Sequence, residues 1–109
     1  MPQFVLMLRD SGAFPDGISP EEIQEILERY AAWGAKVSAT GQKLRDGEGR
    51  VMVRKEGGLS VTDGPYVESK EVIGGYFLIE AADYDAAIRV AEDCPHLDLG
   101  SIEVRQIDF

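Results

Sequence analysis

Two short segments of the chain are apolar at nearly every position. The first runs from Phe4 to Leu8, and the second, rich in aromatic and branched residues, runs from Ile73 to Ile79. A strand that is buried on both faces shows no polar alternation, so both segments are predicted to be inner strands of a sheet. A further segment, Ser101 to Ile107, alternates apolar with charged residues and is predicted to be an edge strand.

Two segments begin with the sequence signal of a helix N-terminus and continue with apolar residues at helical spacing. Ser19 to Glu22 combines a hydroxyl cap, a proline at the first helical position and a glutamate three residues after the cap. Apolar residues then recur at intervals of three and four, and Gly34 is predicted to end this first helix. Asp83 is predicted to cap a second helix, which Cys94-Pro95 would stop.

The chain between the first helix and the second apolar strand is more polar. The segment from Lys36 to Leu44 is predicted to form a half-polar strand. Apolar and polar residues alternate from Val51 to Val53 and again from Leu59 to Val61, on either side of Glu56-Gly57-Gly58, which predicts a β-hairpin. A polar connection from Thr62 to Val72 follows.

Without the hairpin, the order is strand, helix, strand, strand, helix, strand. The predicted fold is therefore α+β, a ferredoxin-like split βαβ with an inserted β-hairpin, in a single domain over residues 1–109. Two helices cover only one face of such a sheet, whereas its inner strands are apolar on both faces. We therefore expect a homodimer in which two sheets pack face to face about a two-fold axis.

Charge and composition narrow the functional classes. Eleven basic and twenty acidic side chains give a net charge of −9, which disfavours binding to nucleic acid and to anionic membranes. No apolar run approaches the roughly eighteen residues of a membrane span, and the first residues do not have the pattern of a secretory signal. With its single cysteine, Cys94, the chain is expected to be cytoplasmic.

Common cofactor and metal motifs are absent from the sequence. It contains no G-x-G-x-x-G, P-loop, H-E-x-x-H or C-x-x-C motif, so we expect no cofactor and no metal. Cys94-Pro95-His96 could be a nucleophile beside a base, but the favoured interpretation is a small buried thiol followed by a loop histidine. Tyr30 and Trp33 could line a pocket, although their helical spacing favours a place in the core.

The densest polar cluster extends from Asp63 to Glu71. The residues predicted to line a pocket beside an inner strand are Asp63, Tyr66, Glu68 and Lys70, with His96 as a further candidate. Gly64 and Pro65 would form a rigid turn, and Gly74 and Gly75 would allow close packing or form a pocket floor. The alternatives are a solvated turn without a ligand, or a loop that completes the dimer seam.

Three segments of the sequence have a familiar pattern: Thr62 to Tyr76, Cys94-Pro95-His96-Leu97 and Gly100 to Arg105. Through them the chain resembles the YCII-related family, in its DGPF-domain branch. The resemblance implies a ferredoxin-like subunit of a dimeric α/β-barrel. Some relatives look like enzymes in which a histidine on the first helix pairs with an aspartate. Here no histidine lies between Ser19 and Gly34, so that pair is not carried over.

Two functions follow as hypotheses. In the first, each subunit of the dimer binds or transforms a small polar metabolite in a cleft beside the sheet. In the second, the acidic protein is a non-enzymatic regulatory module that docks on a protein partner in transcription regulation. The second hypothesis draws on the resemblance, because the DGPF branch is associated with extracytoplasmic-function sigma factors.

Overall fold

A computed structural model describes residues 1–10, 17–45, 47–64 and 72–108. Its strands are β1 (Gln3–Asp10), β2 (Thr40–Lys43), β3 (Arg50–Lys55), β4 (Gly58–Asp63), β5 (Val72–Glu80) and β6 (Ser101–Gln106). Its helices are α1 (Pro20–Val37) and α2 (Tyr84–Ala91), and a 3₁₀ turn spans Pro95–Asp98. The fold is mixed α+β, as the sequence predicts.

Four strands form one antiparallel sheet in the order β2-β5-β1-β6. The two apolar segments of the sequence, β1 and β5, occupy its inner positions. Strands β3 and β4 pair with each other as a separate two-stranded sheet, which is the predicted hairpin. This arrangement is compatible with a ferredoxin-like fold that carries an inserted hairpin.

Helix α1 begins at the predicted cap. The hydroxyl of Ser19 accepts a hydrogen bond from the Glu22 backbone N–H (3.1 Å), and the Glu22 carboxylate accepts one from the Ser19 N–H (3.4 Å). This capping box satisfies two of the N–H groups that the first turn leaves without helical partners. The helix start therefore depends on local sequence and needs little support from the sheet.

The end of α1 differs from the prediction. The helix does not stop at Gly34 but continues to Val37, and Ser38 then adopts a left-handed conformation with φ of 58°. The Ser38 N–H donates to the Ala35 carbonyl (3.3 Å). Gly34 is buried within the helix beside the ring of Phe77, with room for a side-chain methyl group at an ordinary contact distance.

The longer helix shortens the strand that follows it. The strand predicted from Lys36 to Leu44 is wrong at its start, because Lys36 and Val37 still belong to α1. The observed strand β2 has four residues, Thr40–Lys43, and pairs with β5. Packing of the last helical turn against the sheet prevails here over the weak local strand pattern.

The two faces of the sheet differ in their cover. Phe4, Leu6 and Leu8 of β1 point towards the helices and are buried. The core on this face comprises Phe4, Leu6, Trp33, Ile79, Ala81, Ala87, Ala91 and Cys94. The intervening side chains of β1 and their partners on β5 lie on the face without helices and are only partly buried: Val5, Met7, Tyr76 and Leu78.

Within the described residues, no helix is both long enough and apolar enough to cross a membrane.

The close approach of β2 to β5 predicts a stability difference between two glycine variants. A Cβ at Gly41 would collide with the backbone carbonyl of Tyr76, whereas a Cβ at Gly34 would make an ordinary contact with the Phe77 ring at 3.6 Å. In urea denaturation we expect Gly41→Ala to lower the free energy of unfolding by more than about 1 kcal/mol. Gly34→Ala should match or exceed the wild type, since alanine favours a helix. Equal stability of the two variants would contradict this packing.

Candidate functional site

A cavity of about 610 Å³ lies between helix α1 and the sheet. Its walls come from α1, the 3₁₀ turn, the C-terminal end of β1, the whole of β2 and the N-terminal half of β5. They consist of Leu8, Asp10, Leu27, Tyr30, Ala31, Gly34, Ala35, Ala39, Thr40, Gly41, Gln42, Lys43, Gly74, Gly75, Tyr76, Phe77, His96, Asp98 and Leu99. The volume falls in the range of small-molecule sites, which is about 300–1,000 Å³.

Helix α1 is anchored at its C-terminal half and stands clear of the sheet elsewhere. Trp33 and Gly34 are buried, and the Trp33 ring packs edge-on against Phe77 with ring centroids 5.1 Å apart. Leu27, about two turns earlier, and Ala31, less than one turn earlier, face the cavity yet remain exposed. The cavity therefore opens to solvent along the helix.

A salt bridge and an indole hydrogen bond fix this anchored half. Asp93 accepts a hydrogen bond from the indole N–H of Trp33 (2.9 Å) and one from the Lys36 ammonium (2.5 Å). The hydrogen bond from Lys36 is the main cause that lowers the pKa of the Asp93 carboxyl, and the hydrogen bond from Trp33 adds to it. Asp93 thus joins the end of α1 to the segment that follows α2.

His96 is the buried polar group of the cavity. The 3₁₀ turn that begins at Pro95 carries it to the floor beneath α1, where it is 2% exposed. Its Nε2 lies 2.9 Å from the backbone carbonyl oxygen of Arg9, and its Nδ1 lies 2.8 Å from the phenol oxygen of Tyr30. Both ring nitrogens therefore have partners, as burial requires.

These two contacts determine the tautomer of the ring. A carbonyl oxygen only accepts hydrogen bonds, so Nε2 of His96 must carry the proton that it donates to Arg9. With a single proton on the ring, Nδ1 is bare and accepts a hydrogen bond from the phenol of Tyr30.

The surroundings of Tyr30 keep its phenol protonated. Burial is the main cause, and the neighbouring Cys94 and Asp10 add to it against the opposing charge of Arg29, so that the pKa of Tyr30 rises to about 12. At neutral pH the phenol is therefore a stable donor to His96.

Glycines let the sheet form the floor of the cavity. The register between β1 and β5 shifts after Leu8, which faces Gly75, so that Gly74 has no partner on β1. A Cβ at Gly74 would lie 3.0 Å from the Asp10 carboxylate, and one at Gly75 would lie 3.0 Å from a carbonyl oxygen of β2. This bulge brings Asp10 to the cavity, in keeping with the frequent occurrence of bulges at functional sites.

The residues that the sequence analysis predicts for one pocket do not all lie at the cavity. His96, Gly74 and Gly75 line the cavity. Asp63 lies at the end of the hairpin, with its side chain 93% exposed and its carboxylate 3.4 Å from the Arg50 guanidinium. The N–H of Gly64, beside it, donates to the Gly49 carbonyl (2.9 Å). Pro65, Tyr66, Glu68 and Lys70 lie outside the described residues.

Tyr30 is the site residue that the sequence analysis assigns to the core. Its position fits the apolar repeat of α1, and its partner His96 is 66 residues away in the chain. The sequence does contain one signal for Tyr30, a phenol within the apolar stripe of a helix. A buried tyrosine hydroxyl needs a hydrogen-bond partner, so such a residue indicates a polar contact in the core.

Cys94 takes the structural role that the sequence favours. It is buried in the core, and burial raises the pKa of its thiol, which disfavours the nucleophilic thiolate. In the described ranges, no group of three or more histidine, cysteine, aspartate or glutamate side chains is placed to hold a metal ion.

The sequence profile of the YCII-related domain matches residues 3–108. The chain therefore belongs to the YCII-related domain family.

Similarity to individual proteins is more limited. Over 77 residues, 70% of this chain, the sequence is 34% identical to the ribosomal protein uS12 methylthiotransferase RimO of Colwellia psychrerythraea, of which the match covers 16%. The crystal structure of At3g17210 from Arabidopsis thaliana aligns with all of this chain and with 95% of its own, at 16% identity and a TM-score of 0.42.

The raised pKa of Tyr30 predicts a loss of stability in alkali. An unfolded tyrosine ionises near pH 10, whereas folded Tyr30 holds its proton to about pH 12. Stability contributed by the protonated phenol is present below pH 10 and is lost as the pH rises towards 12. Urea denaturation at neutral pH and at about pH 11 should show a smaller alkaline loss in Tyr30→Phe than in the wild type. An equal loss in both proteins would contradict this environment for Tyr30.

Proposed function

We propose that the cavity beneath α1 binds a small molecule with an apolar body and a polar end. The observation that carries the proposal is the cavity volume of about 610 Å³, with a hydrogen-bonded tyrosine–histidine pair at its floor. Ligand sites combine mostly apolar walls with a few convergent polar groups. Here Leu8, Leu27 and Phe77 supply apolar wall, and Tyr30 and His96 supply the polar groups.

The pair also has the chemistry to receive a proton. A ligand proton that reaches the Tyr30 oxygen can be matched by transfer of the phenol proton to the bare Nδ1 of His96, 2.8 Å away. The carbonyl of Arg9 then stabilises the charged ring through Nε2. The proposed function therefore includes transformation of a metabolite as well as its binding.

A neighbouring pair of alanines on α1 allows a controlled test of the cavity. Ala31 lines the cavity, whereas the adjacent Ala32 is exposed and is not part of the lining. Phenylalanine at position 31 should fill the space that a ligand needs. In a screen of small neutral fragments by ligand-observed NMR, we expect Ala31→Phe to weaken binding at least about ten-fold, while Ala32→Phe binds like the wild type. Equal binding by both variants, or no fragment bound by the wild type, would contradict the proposal.

The uncovered sheet face supports the second part of the proposal, that the functional unit is a homodimer forming an α/β-barrel. Val5, Met7, Tyr76 and Leu78 give this face an apolar centre that the two helices do not reach. A second copy offers the same surface about a two-fold axis.

The hairpin adds to this argument. Met52 and Val61 face each other across β3 and β4 and are 64% and 52% exposed. An isolated two-stranded hairpin is marginally stable in water, so contact with a second subunit would stabilise it.

Assignment to the DGPF branch remains a prediction that rests on the string from Asp63 to Glu71.

The dimer has its own test by light scattering coupled to size-exclusion chromatography. We expect the wild type to have the mass of two 12.0 kDa chains at micromolar concentration. Leu78→Glu places a charge on the uncovered face and should yield monomers, because a buried unpaired carboxylate is unfavourable. Ile88→Glu on the exposed side of α2 is the matched control and should remain dimeric. A monomeric wild type would contradict the proposed assembly.

A further inference from the structure

The direction of one hydrogen bond restricts the class of molecule that the cavity accepts. The phenol proton of Tyr30 points to Nδ1 of His96, because Nε2 already donates to the Arg9 carbonyl. A phenol has one proton, and here it is committed. What the Tyr30 oxygen has left for a ligand is therefore its accepting lone pairs.

We propose that the ligand donates a hydrogen bond to the phenol oxygen of Tyr30 and is a neutral or cationic molecule, with a hydroxyl, amide or amine group on an apolar body. This inference rests on the proposed function, since it names the chemical class of the molecule in the same cavity.

Rotation of the phenol proton towards the ligand would be costly. Nδ1 of His96 would then lose its donor at a position where the side chain is 2% exposed. An unsatisfied buried acceptor is more unfavourable than the mean value of a hydrogen bond suggests. The Tyr30–His96 bond thus holds the acceptor orientation, and a ligand group without a proton, such as an ether oxygen, would face lone pair against lone pair.

The charges at the cavity point in the same direction. Asp10 and Asp98 both line it, and both carboxylates act on the Tyr30 phenol electrostatically. Arg29, the nearby cation, is paired with Asp98 at 3.1 Å. The ammonium of Lys43, which also lines the cavity, donates to the Leu44 carbonyl (3.1 Å). The pair of Arg29 and Asp98 offsets both of its charges, so a carboxylate or phosphate at the Tyr30 end would meet chiefly the carboxylate of Asp10, which would not repel a neutral or cationic donor.

The chain contains one histidine, which makes the tautomer directly measurable. In the ¹⁵N-labelled full-length protein at neutral pH, a long-range ¹H–¹⁵N spectrum shows the imidazole of His96 without overlap. We expect the pattern of a ring protonated at Nε2 and bare at Nδ1. A ring protonated at Nδ1, alone or together with Nε2, would overturn the inference, because the phenol proton of Tyr30 would then be free for a ligand acceptor.

Four probes that share one apolar body test the ligand class. They are cyclohexylmethanol, cyclohexylmethylamine, cyclohexylmethyl methyl ether and cyclohexanecarboxylate, titrated into labelled wild type and followed at the resonances of Leu27, Ala31 and Tyr30. We expect the alcohol and the amine to bind about ten-fold more tightly than the ether and the carboxylate. Tyr30→Phe should remove the difference between alcohol and ether. Tyr84→Phe, which removes a phenol outside the cavity lining, should preserve it.

The outcomes distinguish the two proposals. If the ether binds as tightly as the alcohol, or the carboxylate binds more tightly than both, the inference that the ligand donates to Tyr30 is overturned. The proposal of a small-molecule site is then still supported. The absence of shifts at the cavity resonances with all four probes overturns both. The wild-type tautomer and probe series decide the inference even if Tyr30→Phe fails to fold.

Discussion

A buried imidazole joins three parts of the chain that are far apart in sequence. His96 accepts a hydrogen bond from Tyr30 on α1 and donates one to the Arg9 carbonyl on β1, so it ties the helix to an inner strand through the 3₁₀ turn. Because both of its nitrogens are satisfied, the ring can stay in an otherwise apolar floor. The same ring lines the cavity beneath α1.

Helix α1 has two ends with different supports. Its C-terminal half is held by tertiary contacts, through the Trp33 ring on Phe77 and through Asp93. Its start is held by the local capping box at Ser19 and needs no burial. A helix supported at both ends can stand away from the sheet along part of its length without unfolding. The cavity beneath α1 therefore depends on these two supports.

The two faces of the sheet present different surfaces. The face beneath the helices holds the core and the cavity, while the other presents Val5, Met7, Tyr76 and Leu78 without cover from the helices. The described part of the chain is flat, with extents of 49 × 41 × 19 Å, which is a two-layer thickness. In the proposed dimer a second subunit would cover the open face and leave the ligand site accessible on the outside.

Local sequence determined the elements of this protein. Uninterrupted apolar runs marked β1 and β5, the cap at Ser19 marked the start of α1, and the hairpin and α2 followed from alternation and capping, because these signals act over a few residues. Tertiary structure decided where α1 ends, since the helix runs past the buried Gly34 to Val37, whose side chain packs against the core. It also decided the site. The pairing of Tyr30 with His96 depends on the packing of a helix on a turn 66 residues later, and no pattern of neighbouring residues encodes a distance between side chains that only the assembled layers bring together.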